Sequence, residues 1–284
     1  MPGADARTTN VASTDGVTVA VHDFGGSGEP LLLCHATGFH GRAYTSLAGA
    51  LRRHHHVFAL DVRAHGASTP PTTDAGFTWS GVGDDVLAAV DAIGATSLHA
   101  FGHSMGGAAV LLAEVRRPGL VRSAYLFEPI VRPPGPPSSS GNVMADTARR
   151  RREVFAGKPE ALWHFARNTP LGDLEARSLA AYVEHGFDDQ PDGTARLACR
   201  AEHEARTFEG GGSVSTDDIA AVACSTVVAV GLAESEYPAV VMAPAVVAAL
   251  PHARLVTYAH LGHLGPLQDP DTVADDVLAL TGHP

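Results

Sequence analysis

Ser104 sits in a stretch that could do acyl-transfer chemistry, Leu98 to Leu112, LHAFGHSMGGAAVLL. A short apolar run reaches Phe101, a Gly-His-Ser-Met-Gly-Gly turn follows, and an Ala/Val/Leu-rich segment that reads as a buried helix leaves it. Gly102, Ser104 and Gly106 match the G-x-S-x-G elbow, in which a serine stands on a strained strand-to-helix turn. Glycines suit such a turn because they remove Cβ atoms where strand and helix pass closely, and they permit backbone angles that other residues resist. The helix start would also aim free N–H groups at the serine, where negative charge can be held. With 30 glycines in 284 residues the pattern alone is weak. It gains weight only if the chain also supplies a base, an acid and a second donor for the oxyanion.

A serine hydroxyl needs a base to attack at neutral pH. His263 is the leading candidate, in the glycine-bracketed loop HLGHLGPLQDPD after the last strand signal. His260 competes but lacks that bracketing. His103 adjoins the serine, and neighbours on such a turn point apart, so it is read as packing beside the elbow and as a candidate to line the substrate pocket. An oxyanion hole takes two backbone N–H groups. Met105, following the serine, would supply one. Thr37, in the turn Cys34-His-Ala-Thr-Gly-Phe39, is assigned the other, with small Ala36 and flexible Gly38 letting the backbone turn inward.

These residues need a scaffold, and the chain reads as alternating strands and helices. Val11–Thr14 and Val17–His22 flank Asp15-Gly16, a hairpin signal, after a loose tail over residues 1–8. Continuous apolar runs at Pro30–His35 and His56–Asp61 read as strands buried on both faces. Strands are also expected at Leu98–Phe101, Ser123–Phe127, Thr226–Gly231 and Arg254–Thr257. Helices are expected from about Arg42 to Arg53, and over Trp79–Ile93, Pro238–Leu250 and Asp271–Leu280. The order implies an α/β fold, a mostly parallel sheet with helices on both faces. From Pro129 the composition turns Pro- and Ser-rich, then helical patterns run to about Phe208 and a glycine run closes the segment. Residues 133–215 are therefore expected as a helical cap over the carboxyl ends of the strands, and 1–132 with 216–284 as the core.

Bulk properties exclude several classes. A formal net charge of −11 argues against nucleic-acid binding, which needs a concentrated positive face. Three dispersed cysteines, Cys34, Cys199 and Cys224, suggest neither a disulfide framework nor a zinc site. Sixteen histidines invite a metal, but His54, His55 and His56 are consecutive at a strand entrance and no ligand spacing appears. No metal or cofactor is expected, nor any signal peptide or membrane span. The expectation is a cytoplasmic monomer or homodimer acting on a small molecule.

Taken together, His35-Ala-Thr-Gly, Asp61-Val-Arg-Ala-His-Gly66, Gly102-His-Ser-Met-Gly-Gly107 and Gly262-His263 resemble the α/β-hydrolase family, in order and across nearly the whole chain. Ala36 replaces the commoner glycine of the first motif, a form similar to the His-Ala-x-Gly-Phe loops of ester- and thioester-cleaving members. The resemblance implies that Arg63 and His65 tie loops together rather than touch substrate. It also leaves two positions for the acid. Most members place it after the seventh strand, which gives Glu234, with Glu236 nearby. Some place it after the sixth, which gives Glu128, 24 residues past Ser104. Glu128 lies between Phe127 and Pro129 at the end of a central strand, where an unpaired carboxylate is costly and an imidazolium would satisfy it. Glu128 is favoured and Glu234 retained.

The reading is thus a cofactor-free serine hydrolase for a carboxylic ester, lactone or thioester of a small to medium hydrophobic substrate. Alternatives are C–C bond hydrolysis, lyase or perhydrolase chemistry on the same fold, or a receptor with a silent site. Phe39 and Trp163 are candidate substrate contacts, with Phe165, Tyr182 and Phe187 on inner cap faces. The run Arg149–Arg152 covers every face of a helix, so one arginine could turn toward the cleft, although a solvated basic face is the favoured reading.

Overall fold

The computed structural model describes residues 6–135, 142–211 and 214–283. Its strands are β1 Arg7–Ala12, β2 Thr18–Gly25, β3 Pro30–Cys34, β4 His56–Asp61, β5 Leu98–His103, β6 Val121–Phe127, β7 Val154–Phe155, β8 Phe187–Asp189, β9 Ala195–Leu197, β10 Ser225–Gly231 and β11 Ala253–Tyr258. Eight of them form one sheet in the order β1-β2-β4-β3-β5-β6-β10-β11. The hairpin turns at Asp15-Gly16, and β1 begins earlier than expected. Arg7 and Thr8, read as tail, pair with Asp23 and His22. From β4 to β11 every pairing is parallel. Strands β3, β4 and β5 are buried almost throughout, which is why each reads as an unbroken apolar run rather than an alternating one.

The helices are α1 Thr45–Leu51, α2 Trp79–Ile93, α3 Met105–Arg116, α4 Val143–Arg149, α5 Lys158–Phe165, α6 Ala176–Gly186, α7 Ala201–Gly210, α8 Thr216–Ile219, α9 Pro238–Ala249, α10 Gly265–Gln268 and α11 Pro270–Leu280. Apolar residues of α2, α3 and α9 form one core with the sheet, and those of α1 and α11 another. The sheet is therefore covered on both faces. Helix α2 has the bounds its apolar spacing predicts and stops at Gly94, which takes the left-handed conformation. The helix expected from Arg42 to Arg53 is instead a 3-10 turn, Gly41–Tyr44, followed by the short α1.

The chain leaves the sheet at Arg132 and returns beside it, for Arg132 N–H donates to Val214 and Thr216 N–H donates back to Arg132. Between them lie α4 to α7 and a small antiparallel sheet, β7-β9-β8. These three strands are absent from the sequence reading, because two or three residues carry no periodicity. The Gln190-Pro-Asp-Gly turn lies between β8 and β9 and closes on a Gly193 N–H to Gln190 bond of 3.0 Å. The Pro/Ser linker at 136–141 and Gly212-Ser213 lie outside the described residues.

Because β3, β5, β6, β10 and β11 run the same way, the loops that follow them gather at one end of the sheet. Those loops hold Thr37, Ser104, Glu128, Glu234 and His263.

Candidate active site

Ser104 follows β5 with φ +55° and ψ −115°, a region that resists any side chain. The strain falls on the serine itself. Gly102, Gly106 and Gly107 take no positive φ, so the expectation that they permit unusual backbone angles is corrected. Their role is close approach. A Cβ on Gly106 would sit 2.2 Å from the Cys34 carbonyl oxygen, and one on Gly102 would sit 2.6 Å from Gly107 Cα. Side chains there would push α3 off β3 and β5.

The hydrogen-bond ladder continues past the strand ends and locks the site to the sheet. Ser104 N–H donates to Phe127 at 2.9 Å, and Glu128 N–H donates to Ala229 at 2.8 Å. Glu128 also has a positive φ, +47°, and is fully buried. Its Oε1 accepts from Gly231 N–H at 2.9 Å, and its Oε2 lies 2.6 Å from His263 Nδ1. A Cβ on Gly231 would lie 2.3 Å from the Leu261 carbonyl oxygen, so a glycine is what lets the His263 loop close on β10.

Glu234 reaches the same histidine at a different atom. Its carboxylate accepts from His263 backbone N–H at 3.3 Å. The imidazole contacts Glu128, and its face is covered by the ring of Tyr237, stacked 4.1 Å away. Burial, with Glu128 and Glu234 nearby, pushes the Tyr237 hydroxyl above its usual range. His260 is on the surface, 3.6 Å from Asp269.

The upstream loop is held by His35. Its Nε2 accepts from Val62 N–H at 3.1 Å, so Nδ1 carries the proton and donates to the Ala36 carbonyl at 2.8 Å. Burial is the main reason the ring stays neutral, its pKa lowered to about 3, with His65 contributing. Phe39 N–H donates to the same carbonyl. Carbonyl and N–H of one trans peptide point in opposite directions, so fixing Ala36 C=O aims Thr37 N–H the other way. Among the described residues, neither Thr37 N–H nor Met105 N–H donates to a protein acceptor. Thr37 Oγ1 lies 3.5 Å from Met105 Sδ, which brings the two loops together.

Ser104 is only 6% exposed. The inserted segment meets the Thr37 loop, with Tyr182 of α6 5.2 Å from the Phe39 ring and its carbonyl accepting from His40 Nε2 at 3.1 Å. A Cβ on Gly38 would lie 2.5 Å from Glu204 Oε1 and 3.2 Å from Arg151 Nη1. Arg151 and Glu204 form an ion pair there, and Arg151 donates to Tyr182 Oη at 2.6 Å. Of the four-arginine run this one turns inward. Arg149 and Arg152 pair with glutamates at the surface.

Two expected substrate contacts are corrected. His103 is fully buried, with both ring nitrogens bonded to protein. The strand register turns it into the core, against the rings of Tyr44 and Phe127. Trp163 is 59% exposed and lies under Arg167, on the outer face of α5. Phe39 is half-buried beside Tyr182. Arg63 is buried and bonds Asp85, Asp15, Thr14 and the Gly76 carbonyl, so it ties loops together. The consecutive histidines diverge: His55 bonds the Glu29 carbonyl and Thr281, whereas His56 bonds Asp23.

The alpha/beta hydrolase family profile matches residues 31–276, which span the loops of Thr37, Ser104, Glu128, Glu234 and His263. The chain belongs to the alpha/beta hydrolase family. It is similar to an (E)-2-((N-methylformamido)methylene)succinate hydrolase of Acinetobacter baylyi, 32% identical over 165 residues that cover 55% of this chain and 56% of that protein. The chain thus matches little more than half the length of that curated relative, and a third of a second one. Among solved structures, an E-2-(acetamidomethylene)succinate hydrolase is similar over 98% of this chain and 99% of its own, with a TM-score of 0.75 and 20% identity. An esterase from Thermogutta terrifontis has a TM-score of 0.72 at 20% identity, over 98% of this chain and all of its own. At that identity the structural likeness establishes the fold.

Proposed function

We propose that this hydrolase cleaves a carboxylic ester, lactone or thioester of a small to medium-sized substrate through Ser104, His263 and Glu128. The observation that carries the reading is the 2.6 Å contact of the buried Glu128 carboxylate with His263 Nδ1, on the row of hydrogen bonds that also holds Ser104. That contact leaves Nε2 as the base. Ser104 Oγ attacks the acyl carbon as Nε2 takes its proton, and the imidazolium is stabilised by Glu128. The Thr37 and Met105 N–H groups receive the oxyanion. The imidazolium then protonates the leaving group, the acyl-enzyme remains, and water activated by the same nitrogen releases the acid. Residues 133–215 act as a cap that keeps bulk water from Ser104, which fits its low exposure. Ser104→Ala is expected to abolish hydrolysis of short p-nitrophenyl esters; turnover equal to wild type in that variant sinks the proposal.

A second reading, cleavage of an amide bond in a carboxylate-bearing substrate, is favoured by Arg151. Its guanidinium lies over Gly38, next to the proposed oxyanion donor, and two similar proteins carry names of amido-methylene succinate hydrolases. A substrate carboxylate would compete with Glu204 for that guanidinium. The double variant Arg151→Gln/Glu204→Gln avoids a lone buried charge. It is expected to lower kcat/KM about 10- to 100-fold for a succinate half-ester and little for a neutral ester, since a hydrogen bond to a charged group contributes about 1.5–3 kcal/mol. Equal losses on both substrates refute this role for Arg151.

A further inference from the structure

A second buried polar chain joins the two loops of this site through side chains that the mechanism does not use. Tyr44 ends the 3-10 turn Gly41–Tyr44, and His103 is the last residue of β5; both are buried. The direction of each hydrogen bond follows from what each atom can give. The His263 carbonyl only accepts, so His103 Nε2 donates to it, at 2.8 Å. In a neutral imidazole the other nitrogen is then an acceptor, so Tyr44 Oη–H donates to Nδ1, at 2.6 Å. Tyr44 Oη in turn accepts from Ala36 N–H, at 3.3 Å. Burial, reinforced by the adjacent His263, holds His103 well below the usual histidine range, so this tautomer persists at ordinary pH.

One continuous chain therefore runs from Ala36, the residue before Thr37, to His263. The His263 backbone is held on both sides, its carbonyl by His103 and its N–H by Glu234, while its ring is held by Glu128. An unsatisfied buried donor or acceptor costs about 1–3 kcal/mol, so breaking one link strains the others. We propose that Tyr44 and His103 are positioning residues that couple the loop of the oxyanion donor Thr37 to the loop of the base His263. This inference rests on the reading of Thr37 and His263 in those roles. Neither side chain touches substrate. Their effect is to keep the place where the oxyanion forms in register with the base.

The test compares Tyr44→Phe, His103→Leu and His103→Gln with wild type by steady-state kinetics on p-nitrophenyl acetate, and by amide hydrogen exchange without substrate. Misplacing a base by about 1 Å can cost about 100-fold. Tyr44→Phe and His103→Leu are expected to lower kcat about 10- to 100-fold with KM changed far less. His103→Gln, whose side-chain N–H can reach the His263 carbonyl, is expected to recover part of that loss. In Tyr44→Phe, exchange is expected to quicken over residues 259–266, which make no hydrogen bond to Tyr44, as well as over residues 35–40. Full kcat in both Tyr44→Phe and His103→Leu overturns the proposal. So does exchange that changes only near residue 44, or His103→Gln as impaired as His103→Leu. If Tyr44→Phe does not fold, the two His103 variants decide by the same measures. A wild-type protein that cleaves no ester and is not labelled at Ser104 by a fluorophosphonate refutes the hydrolytic reading instead; the exchange comparison then still decides whether the two loops are coupled.

Discussion

The sheet end that carries Ser104 and the inserted segment facing it are held together by different forces. At the sheet end, backbone hydrogen bonds continue past the strands, glycines allow backbone contacts that a Cβ would forbid, and Ser104 and Glu128 take positive φ. Such strain costs about 1–3 kcal/mol per residue and persists only where the surroundings over-determine it. The inserted segment instead packs buried rings, Phe155, Phe165, Tyr182 and Phe187, beneath ion pairs near the surface: Arg149 with Glu202 and Glu209, Arg206 with Asp74 and Glu202, Lys158 with Glu184 and Asp189. Exposed pairs contribute about 0–1 kcal/mol each and weaken with salt. The difference separates two tasks. The proposed reacting groups sit where the backbone is fixed, whereas the outer ion pairs of the inserted segment can be altered at small cost.

The contrast can be broken most sharply at the two glutamates. Glu128→Gln is expected to lower kcat about 10⁴-fold, the size of effect seen when a triad carboxylate becomes an amide and the histidine loses its orienting partner. Glu234→Gln keeps an acceptor for His263 N–H and is expected to cost less than about tenfold. Steady-state kinetics of both variants decide between them, and the reverse ranking would move the acid to Glu234.

Next in size is acid sensitivity of the rigid end. His35 is buried and neutral, with its pKa lowered from 6.5 to about 3. Between those values the unfolded chain binds a proton at this position and the folded chain does not, so stability falls as pH falls. The slope from this one group is at most about 1.4 kcal/mol per pH unit. Urea unfolding of wild type and His35→Gln is expected to show their difference in stability shrinking from pH 7 to pH 5. A constant difference contradicts the assignment. The smallest effect belongs to the inserted segment. Arg149→Ala is expected to lower stability only slightly, and the difference is expected to fade in molar salt. A larger loss that survives salt means this segment is as tightly determined as the sheet.

Much of the framework was legible because its signals are local. Periodicity places α2 at its observed bounds, and buried runs mark β3 and β4 within a residue. The short β7, β8 and β9 carry no such signal, since pairing partners far apart in the chain define them. The hydroxyl of Tyr44 also escaped, because nothing in a predicted helix says which atom its side chain meets.

At the site, the residue types around Ser104 and their order along the chain are properties of the sequence, and they are enough for the family. Which atoms meet is not. Two glutamates compete for one histidine in the sequence, and both reach it: Glu128 at the ring and Glu234 at the backbone N–H. That division depends on β6 lying between β5 and β10 and on how closely the His263 loop passes Gly231. Arg151 is likewise one of four arginines until α4 and α7 pack together and turn it toward Gly38. Sequence sets local conformation and apolar pattern through interactions between near neighbours. The choice among chemically equivalent side chains is made by contacts between residues from about thirty to more than a hundred positions apart, and these exist only once the sheet is assembled.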